Sequence, residues 1–373
     1  MSAPMRLVVL GLSLSSSWGN GHATTYRALL SAFAARGHDV LFLERDVPWY
    51  AEHRDLPDPG YCRLAFYSDL NDLRRWSAEI AAADAVIVGS YVPDGVQVGR
   101  FVLDVAEHVT AFYDIDTPLT LAKLERGEHD YLTPDLIRAY DIYLSFTGGP
   151  TLDLIETRYG SPAARALYCS VDPDLYRVLD IAKRWDLSYL GTYSPDRQPT
   201  LEHLLIEPAR ALPSMRFVVA GPKYPEDIDW PANVERIDHV PPAEHAAFYN
   251  ASRFTLNVTR ADMIKAGWSP SVRLFEAAAT ATPIISDVWP GIGSLFDPDH
   301  EIILAERSDR VIRELAREHL ALGRAGRARV LRAHTSSHRA AELESYFAEA
   351  ALAVGAVPFV QNRNRKETLR SGV

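Results

Sequence analysis

The feature that most constrains this chain is a repeated alternation of short apolar runs, glycine-bearing loops and helical patterns. Arg6 to Leu12 is a mostly apolar run that ends in a Ser/Gly-rich loop. His22 to Ala35 carries helical spacing closed by Arg36-Gly37, and Val40 to Leu43 is the next apolar run. Strand, glycine loop, helix and strand in so short a span form a βαβ unit, which implies parallel strands. Further buried-strand runs follow at Ala85–Gly89, Val109–Tyr113 and Ile142–Phe146, and Leu167 to Asp172 closes the half. Asp174 to Arg184 reads as a helical connector.

The theme then restarts. Candidate strands lie at Leu187–Leu190, Arg216–Ala220, Val234–Ile237, Phe254–Val258, Pro283–Ser286 and Glu301–Leu304. Helical patterns at Gln198–Leu212, Pro242–Asn250 and Val272–Ala281 separate them, and amphipathic helices run from Ser308 to about Leu352. The expected fold is therefore α/β, with two doubly wound parallel-sheet domains in tandem. A length of 373 residues suits two such cores better than one.

Composition narrows the function classes. A formal charge of −10 argues against nucleic acid as the main partner, because phosphate backbones need a basic surface. Cys62 and Cys169 form no CxxC pair and read as buried small hydrophobes of a reducing compartment. The first apolar run is too short for a signal peptide, and no stretch of about 18 apolar residues suggests a membrane span. A cytoplasmic protein, at most peripheral to a membrane, is expected.

Doubly wound sheets bind ligands beyond the carboxyl ends of their strands, so chemistry is sought there, in a cleft faced by both sets of loops. In the first half the loop Ser15 to His22 can present backbone N–H groups through Gly19, Asn20 and Gly21 on the acceptor side. It is neither GxGxxG nor a Walker loop. His22, at the helix start, is a candidate general base, the alternative being a structural histidine. Asp114 and Asp116, two apart at a strand end, are candidates to bind sugar hydroxyls or act as base without a metal. An Asx-turn before Pro118 explains them equally. Thr147 and Gly148 either line the acceptor side or permit a tight turn.

In the second half Gly191 and Thr192 allow close backbone approach, and Arg197 can neutralise a diphosphate. Gly221 and Lys223 end the following strand in the same manner, with Lys223 and Tyr224 near a nucleotide base. The sharpest segment is Ser269-Pro270-Ser271-Val272-Arg273-Leu274-Phe275-Glu276. Ser269 is expected as helix N-cap with Pro270 at the first helical position, aiming free N–H groups at a diphosphate. Arg273 near the first turn opposes the helix dipole unless an anion is present. Glu276, one turn on, can reach a ribose, the competing reading being an Arg273–Glu276 surface pair.

The order LYCSVDPDLY, LSYLGTYSPDR, FVVAGP and SPSVRLFEAAATATPIISD resembles the C-terminal half of GT-B glycosyltransferases. As a whole the chain most resembles their spore-maturation CgeB-like branch over about residues 5–350. The resemblance implies an N-terminal acceptor-side Rossmann-like domain over 1–171 and a nucleotide-sugar domain over 172–335. A C-terminal helix over 336–355 returning to the first domain, and a polar tail over 356–373, complete the expected plan. It also implies a hinge near Ser170-Val171-Asp172, diphosphate on Arg197 and the Ser269–Ser271 segment, ribose on Glu276, and no catalytic metal or cofactor. Retaining members with paired glutamates carry an acid eight residues before the ribose glutamate, where this chain has Trp268. Stereochemistry therefore stays open. The expected activity is hexosyl transfer from a nucleoside diphosphate sugar to a hydroxyl acceptor. A sugar-nucleotide 2-epimerase and a non-catalytic scaffold are the rivals.

Overall fold

The computed structural model describes residues 3–18, 21–353 and 355. Gly19, Asn20 and the tail from 356 lie outside the described residues. The chain divides into two compact units. The first comprises the described residues up to Tyr168 together with those from Ser336, and the second is Cys169–Thr335.

The first unit holds a seven-stranded sheet of β1 (Arg6–Gly11), β2 (Asp39–Arg45), β3 (Arg63–Tyr67), β4 (Ala85–Gly89), β5 (Val109–Asp114), β6 (Ile142–Ser145) and β7 (Ala164–Ala166). Their order is β3-β2-β1-β4-β5-β6-β7, and every pairing is parallel. Leu7 stands beside Val40 on one side and Ala85 on the other. β4 and β5 are buried along their whole length, as sheets covered on both faces require.

The helix His22–Ala35 buries Ala23, Tyr26, Leu29, Leu30 and Phe33, a 3-4 spacing that lays one stripe on the sheet. Gly37, at φ 95°, ends it in the left-handed conformation and donates to the Ala34 carbonyl at 2.9 Å. The C-terminal helix Ser336–Ala353 completes the same core with Ala340, Leu343 and Phe347. Burying Leu343 and Phe347 contributes about 2 kcal/mol each. Glu344 on this helix pairs with Arg36 and accepts from His38 Nε2 at 2.6 Å, while His38 Nδ1 accepts from the Met5 N–H at 3.1 Å. Glu344→Gln should cost about 1–2 kcal/mol of unfolding free energy, seen as a lower urea midpoint at unchanged slope.

The second unit holds β8 (Trp185–Leu190), β9 (Phe217–Ala220), β10 (Val234–Ile237), β11 (Ser252–Asn257), β12 (Ile284–Ser286) and β13 (Ile303–Leu304). Their order is β10-β9-β8-β11-β12-β13, again wholly parallel. Strand order reverses between β1 and β4 in the first unit and between β8 and β11 in the second. Ligand crevices are expected at these two switch points.

Two local expectations are corrected. Residues 174–184 are not helical. Their backbone is used elsewhere: the Leu179 N–H donates to Asn250 Oδ1 at 2.9 Å and the Arg177 carbonyl accepts from Asn250 Nδ2 at 2.9 Å. Lys183 Nζ bridges the Asn250 and Ser252 carbonyls at 2.8 and 2.9 Å. The span 198–212 is helical but contains a π turn at Glu202–Ile206. Pro208 follows it, and its missing N–H interrupts regular i to i−4 bonding.

Candidate functional site

At the β8/β11 switch the helix Val272–Ala279 begins two residues later than expected. Ser271, not Ser269, is its N-cap: its backbone is extended and its Oγ accepts from the Arg273 N–H at 3.3 Å. Ser269 and Pro270 form a buried lead-in, and the Pro270 carbonyl accepts from Cys169 Sγ at 3.4 Å. A proline keeps the residue before it extended, so a helix starting at Pro270 gives way to one capped by the next serine. The turn into this segment is tight. Gly267 has φ 66° and Trp268 φ 43°, and a Cβ added at Gly291 would lie 2.4 Å from the Trp268 ring. A tryptophan in the left-handed region is a strained residue held by its surroundings.

Arg273 does not pair with Glu276. Its Nη1 donates to Ser271 Oγ at 3.2 Å, and among the described residues it forms no ion pair. Glu276 is buried and accepts from the Tyr176 hydroxyl at 2.8 Å and the Tyr249 hydroxyl at 3.3 Å. Burial first, then the Glu276 charge, raises the pKa of both tyrosines. Neither tyrosine was singled out from sequence, since each reads as core and lies far from residue 276 in the chain.

Arg197 opens the helix after β8. Its Nη2 donates to the Thr192 carbonyl at 2.6 Å, while its buried Nε has no hydrogen-bond partner. Burial lowers the pKa of its guanidinium, and the nearby Arg273 and Arg260 lower it further. Arg260, beyond the end of β11, has no sequence signal beyond its place after a strand. Tyr189 Oη, near the end of β8, is also buried without a partner. So are Gln198 Oε1, Asn257 Oδ1 at the last residue of β11, and Trp289 Nε1 after β12. Orphaned polar atoms are uncommon in cores, and five of them lie at or after the carboxyl ends of β8, β11 and β12.

The glycine expectations acquire a physical reason. Gly221 has φ 138°, and a Cβ there would lie 2.1 Å from the Gly191 carbonyl oxygen. The loops after β8 and β9 therefore touch through backbone, and Tyr224 Oη donates to the Gly191 carbonyl at 3.1 Å. Thr192 and Lys223 are exposed.

At the β1/β4 switch His22 is the first residue of its helix, after the exposed Gly21. Its Nδ1 is buried without a partner, and burial pushes its pKa down to about 4. Its ring meets Tyr91 edge-on at 5.3 Å. Tyr91, at φ 62°, donates from its hydroxyl to Asp116 Oδ2 at 3.1 Å. His22, Tyr91 and Asp116 thus form one group. Asp114 does not join it. That side chain is fully buried, accepting from Tyr143, from Thr120 Oγ1 at 2.8 Å and from the Asp116 N–H at 3.2 Å, and burial raises its pKa to about 6. Asp114, the other expected candidate base, is thus held in the core by these three donors. Thr147 is likewise buried, and a Cβ at Gly148 would lie 2.0 Å from the Tyr168 hydroxyl. That loop is a tight turn rather than a lining surface.

Glu44 was not anticipated. At the end of β2, fully buried, it accepts from the Leu14 and Ser15 N–H groups at 2.7 and 2.9 Å. It also accepts from the Ser13 and Ser15 hydroxyls at 3.1 and 2.6 Å. The serine-rich loop is therefore pinned by one carboxylate. A cavity of about 270 Å³ lined by Arg6, Asp39, Arg63 and Glu79 opens at the opposite, amino-terminal ends of these strands and shares no residue with this group.

Residues 197–345 match the family described as Glycosyl transferase-like. No curated protein matches the chain. Among solved structures, sucrose-phosphate synthase from Thermosynechococcus elongatus is similar at 15% identity and TM-score 0.68, covering 93% of this chain and 100% of that one. Anabaena HepE, solved with UDP and glucose, is similar at 11% identity and TM-score 0.67, with 92% and 100% covered. AviGT4, a glycosyltransferase of avilamycin A biosynthesis, is similar at 16% identity and TM-score 0.64, with 95% and 99% covered. No helix among the described residues is long and apolar enough to cross a membrane. With seven and six parallel strands in two Rossmann-like units, the chain has the GT-B fold, and the glycosyl transferase-like segment covers most of its second unit and the first half of the C-terminal helix.

Proposed function

We propose that this chain is a glycosyltransferase that moves a hexosyl group from a nucleoside diphosphate sugar to a hydroxyl acceptor without a catalytic metal. The observation that carries the reading is the group Arg197, Arg260 and Arg273, for which no carboxylate partner is found among the described residues. Three like charges raise the free energy of the empty site, and a diphosphate offsets that cost with bidentate, charge-assisted bonds. The N–H groups at the start of the Val272–Ala279 helix add donors of the same sign. Glu276, oriented by Tyr176 and Tyr249, keeps lone pairs for the two ribose hydroxyls. Gly191 and Gly221 keep the loops after β8 and β9 within backbone contact of each other.

In the reaction the bond between the anomeric carbon and the diphosphate oxygen breaks, and the acceptor oxygen bonds to that carbon. The acceptor proton passes to the His22 imidazole, and the arginines stabilise the charge left on the diphosphate. Asp116 steadies His22 through Tyr91. Asp114, committed to Tyr143 and Thr120, is not available as one half of a metal-binding pair. Within the fold we assign the chain to the CgeB-like branch, on the order of its second-unit motifs, and place it in the cytoplasm. Because HepE was solved with UDP and glucose, UDP-hexoses are the first donors to try.

The test is nucleoside diphosphate release from UDP-, GDP- and dTDP-hexoses, with thermal-shift screening of the same nucleotides. One nucleotide should raise the melting temperature. Glu276→Gln should weaken its binding about tenfold, the loss of one charge-assisted ribose bond. Absence of binding by all three sinks the reading.

A further inference from the structure

We propose that Trp18, His53 and Trp49 form a stacking platform for a carbohydrate acceptor, an inference that rests on the glycosyltransferase reading above. Trp18 stacks on His53 at 4.6 Å with 15° between the rings, and Trp49 meets the same imidazole at 5.7 Å. Both indoles are open to solvent, 48% for Trp18 and 59% for Trp49. An isolated exposed tryptophan carries little information, but two on one imidazole form a patch.

Hydrogen bonds tie the loops that carry these rings. Ser16 Oγ donates to the His53 carbonyl at 2.8 Å, and His53 Nδ1 lies 2.9 Å from the Trp49 carbonyl. Ser17 donates through both N–H and hydroxyl to Asp55, which Arg27 holds at 2.6 Å. Burial alone would raise the Asp55 pKa, yet the bonds from Arg27 and Ser17 bring it down to about 2. Glu44 fixes the preceding turn. Rings ordered in advance lose little entropy on binding, which is the physical reason to spend a pinned loop on exposed indoles.

The surroundings select the ligand. A flat aromatic acceptor gains most from an enclosed apolar slot, whereas this ladder is rimmed by half-exposed Asp55 and Asp46, the latter paired with Arg54 at 2.6 Å. A pyranose offers an apolar C–H face to an indole and hydroxyls to carboxylates and guanidinium at its edge. The platform lies beyond the carboxyl ends of β1 and β2, the same ends from which His22 extends.

The full chain should be applied to an array of immobilised oligosaccharides and to a matched array of phenols and flavonoids. Wild type should be retained on glycans, and Trp18→Ala and Trp49→Ala should each weaken retention about tenfold, as loss of one stacking ring predicts. Melting temperature should fall only slightly in each, by the lost contact with His53, and UDP affinity should stay unchanged. No glycan retention, retention on phenols instead, or glycan retention unaffected by either substitution overturns the proposal. UDP titration in parallel separates the two readings: failure to bind nucleotide refutes the donor assignment, not the platform.

Discussion

Replacing Arg197 with methionine should weaken UDP binding about 100-fold and leave the nucleotide-free protein more stable than wild type. The two effects have one origin. In the empty site the Arg197 guanidinium is partly buried, its Nε lacks a partner, and Arg260 and Arg273 repel it. Methionine keeps the aliphatic packing and removes the unpaired charge. Its cost is the bond to the Thr192 carbonyl, which the removed repulsion and desolvation outweigh. With nucleotide present the balance reverses, because charge-assisted bonds to phosphate contribute about 3 kcal/mol. Calorimetric titration of UDP and thermal melts with and without it give both quantities. Unchanged affinity, or a lower melting temperature in the absence of nucleotide, contradicts the assignment. The affinity gap should also narrow as salt is raised, since part of it is long-range attraction.

His22→Ala should lower kcat by about 100-fold to 1,000-fold at neutral pH, within the usual range for a general base, while UDP affinity stays the same. The pH profile is the sharper measurement. With the His22 pKa held at about 4 by burial, the acid limb of kcat/KM should fall near pH 4 instead of near the ordinary 6.5. Stability follows from the same shift. Between about 4 and 6.5 the unfolded chain binds more protons at this residue than the folded one. His22 therefore contributes a stability that is complete above 6.5 and is lost as pH falls towards 4, and His22→Ala should flatten that slope. An acid limb near 6.5 in wild type, or an unaltered kcat in the variant, removes His22 from the reaction.

How far the sequence carried the fold depends on how each strand is buried. β4 and β5 are covered on both faces, so their mostly apolar runs stand out at Ala85–Gly89 and Val109–Tyr113. β3, Arg63–Tyr67, is an edge strand of mostly partial burial, and β7 has only three residues, so neither leaves a clear run. Punctuation was legible to within a turn. The Ser-Pro-Ser segment announces a helix start, but which serine caps is settled by local geometry, and the cap falls on Ser271.

The alternation of apolar runs, glycine loops and helical stripes by itself determined two parallel α/β sheets and the loops at the carboxyl ends of their strands. Chain-local patterns suffice for this, because a βαβ unit has one favoured handedness and one end open to ligands. Only the tertiary structure decided which charges stand alone. Arg273 is separated from Glu276 because Tyr176, 100 residues away, and Tyr249 take up the carboxylate. Asp114 and Asp116, two residues apart, divide between the core and the His22–Tyr91 group according to what packs on each, Tyr143 in one case and Tyr91 in the other. Partnerships of this kind depend on distances across the sheet, which residue spacing along the chain does not encode.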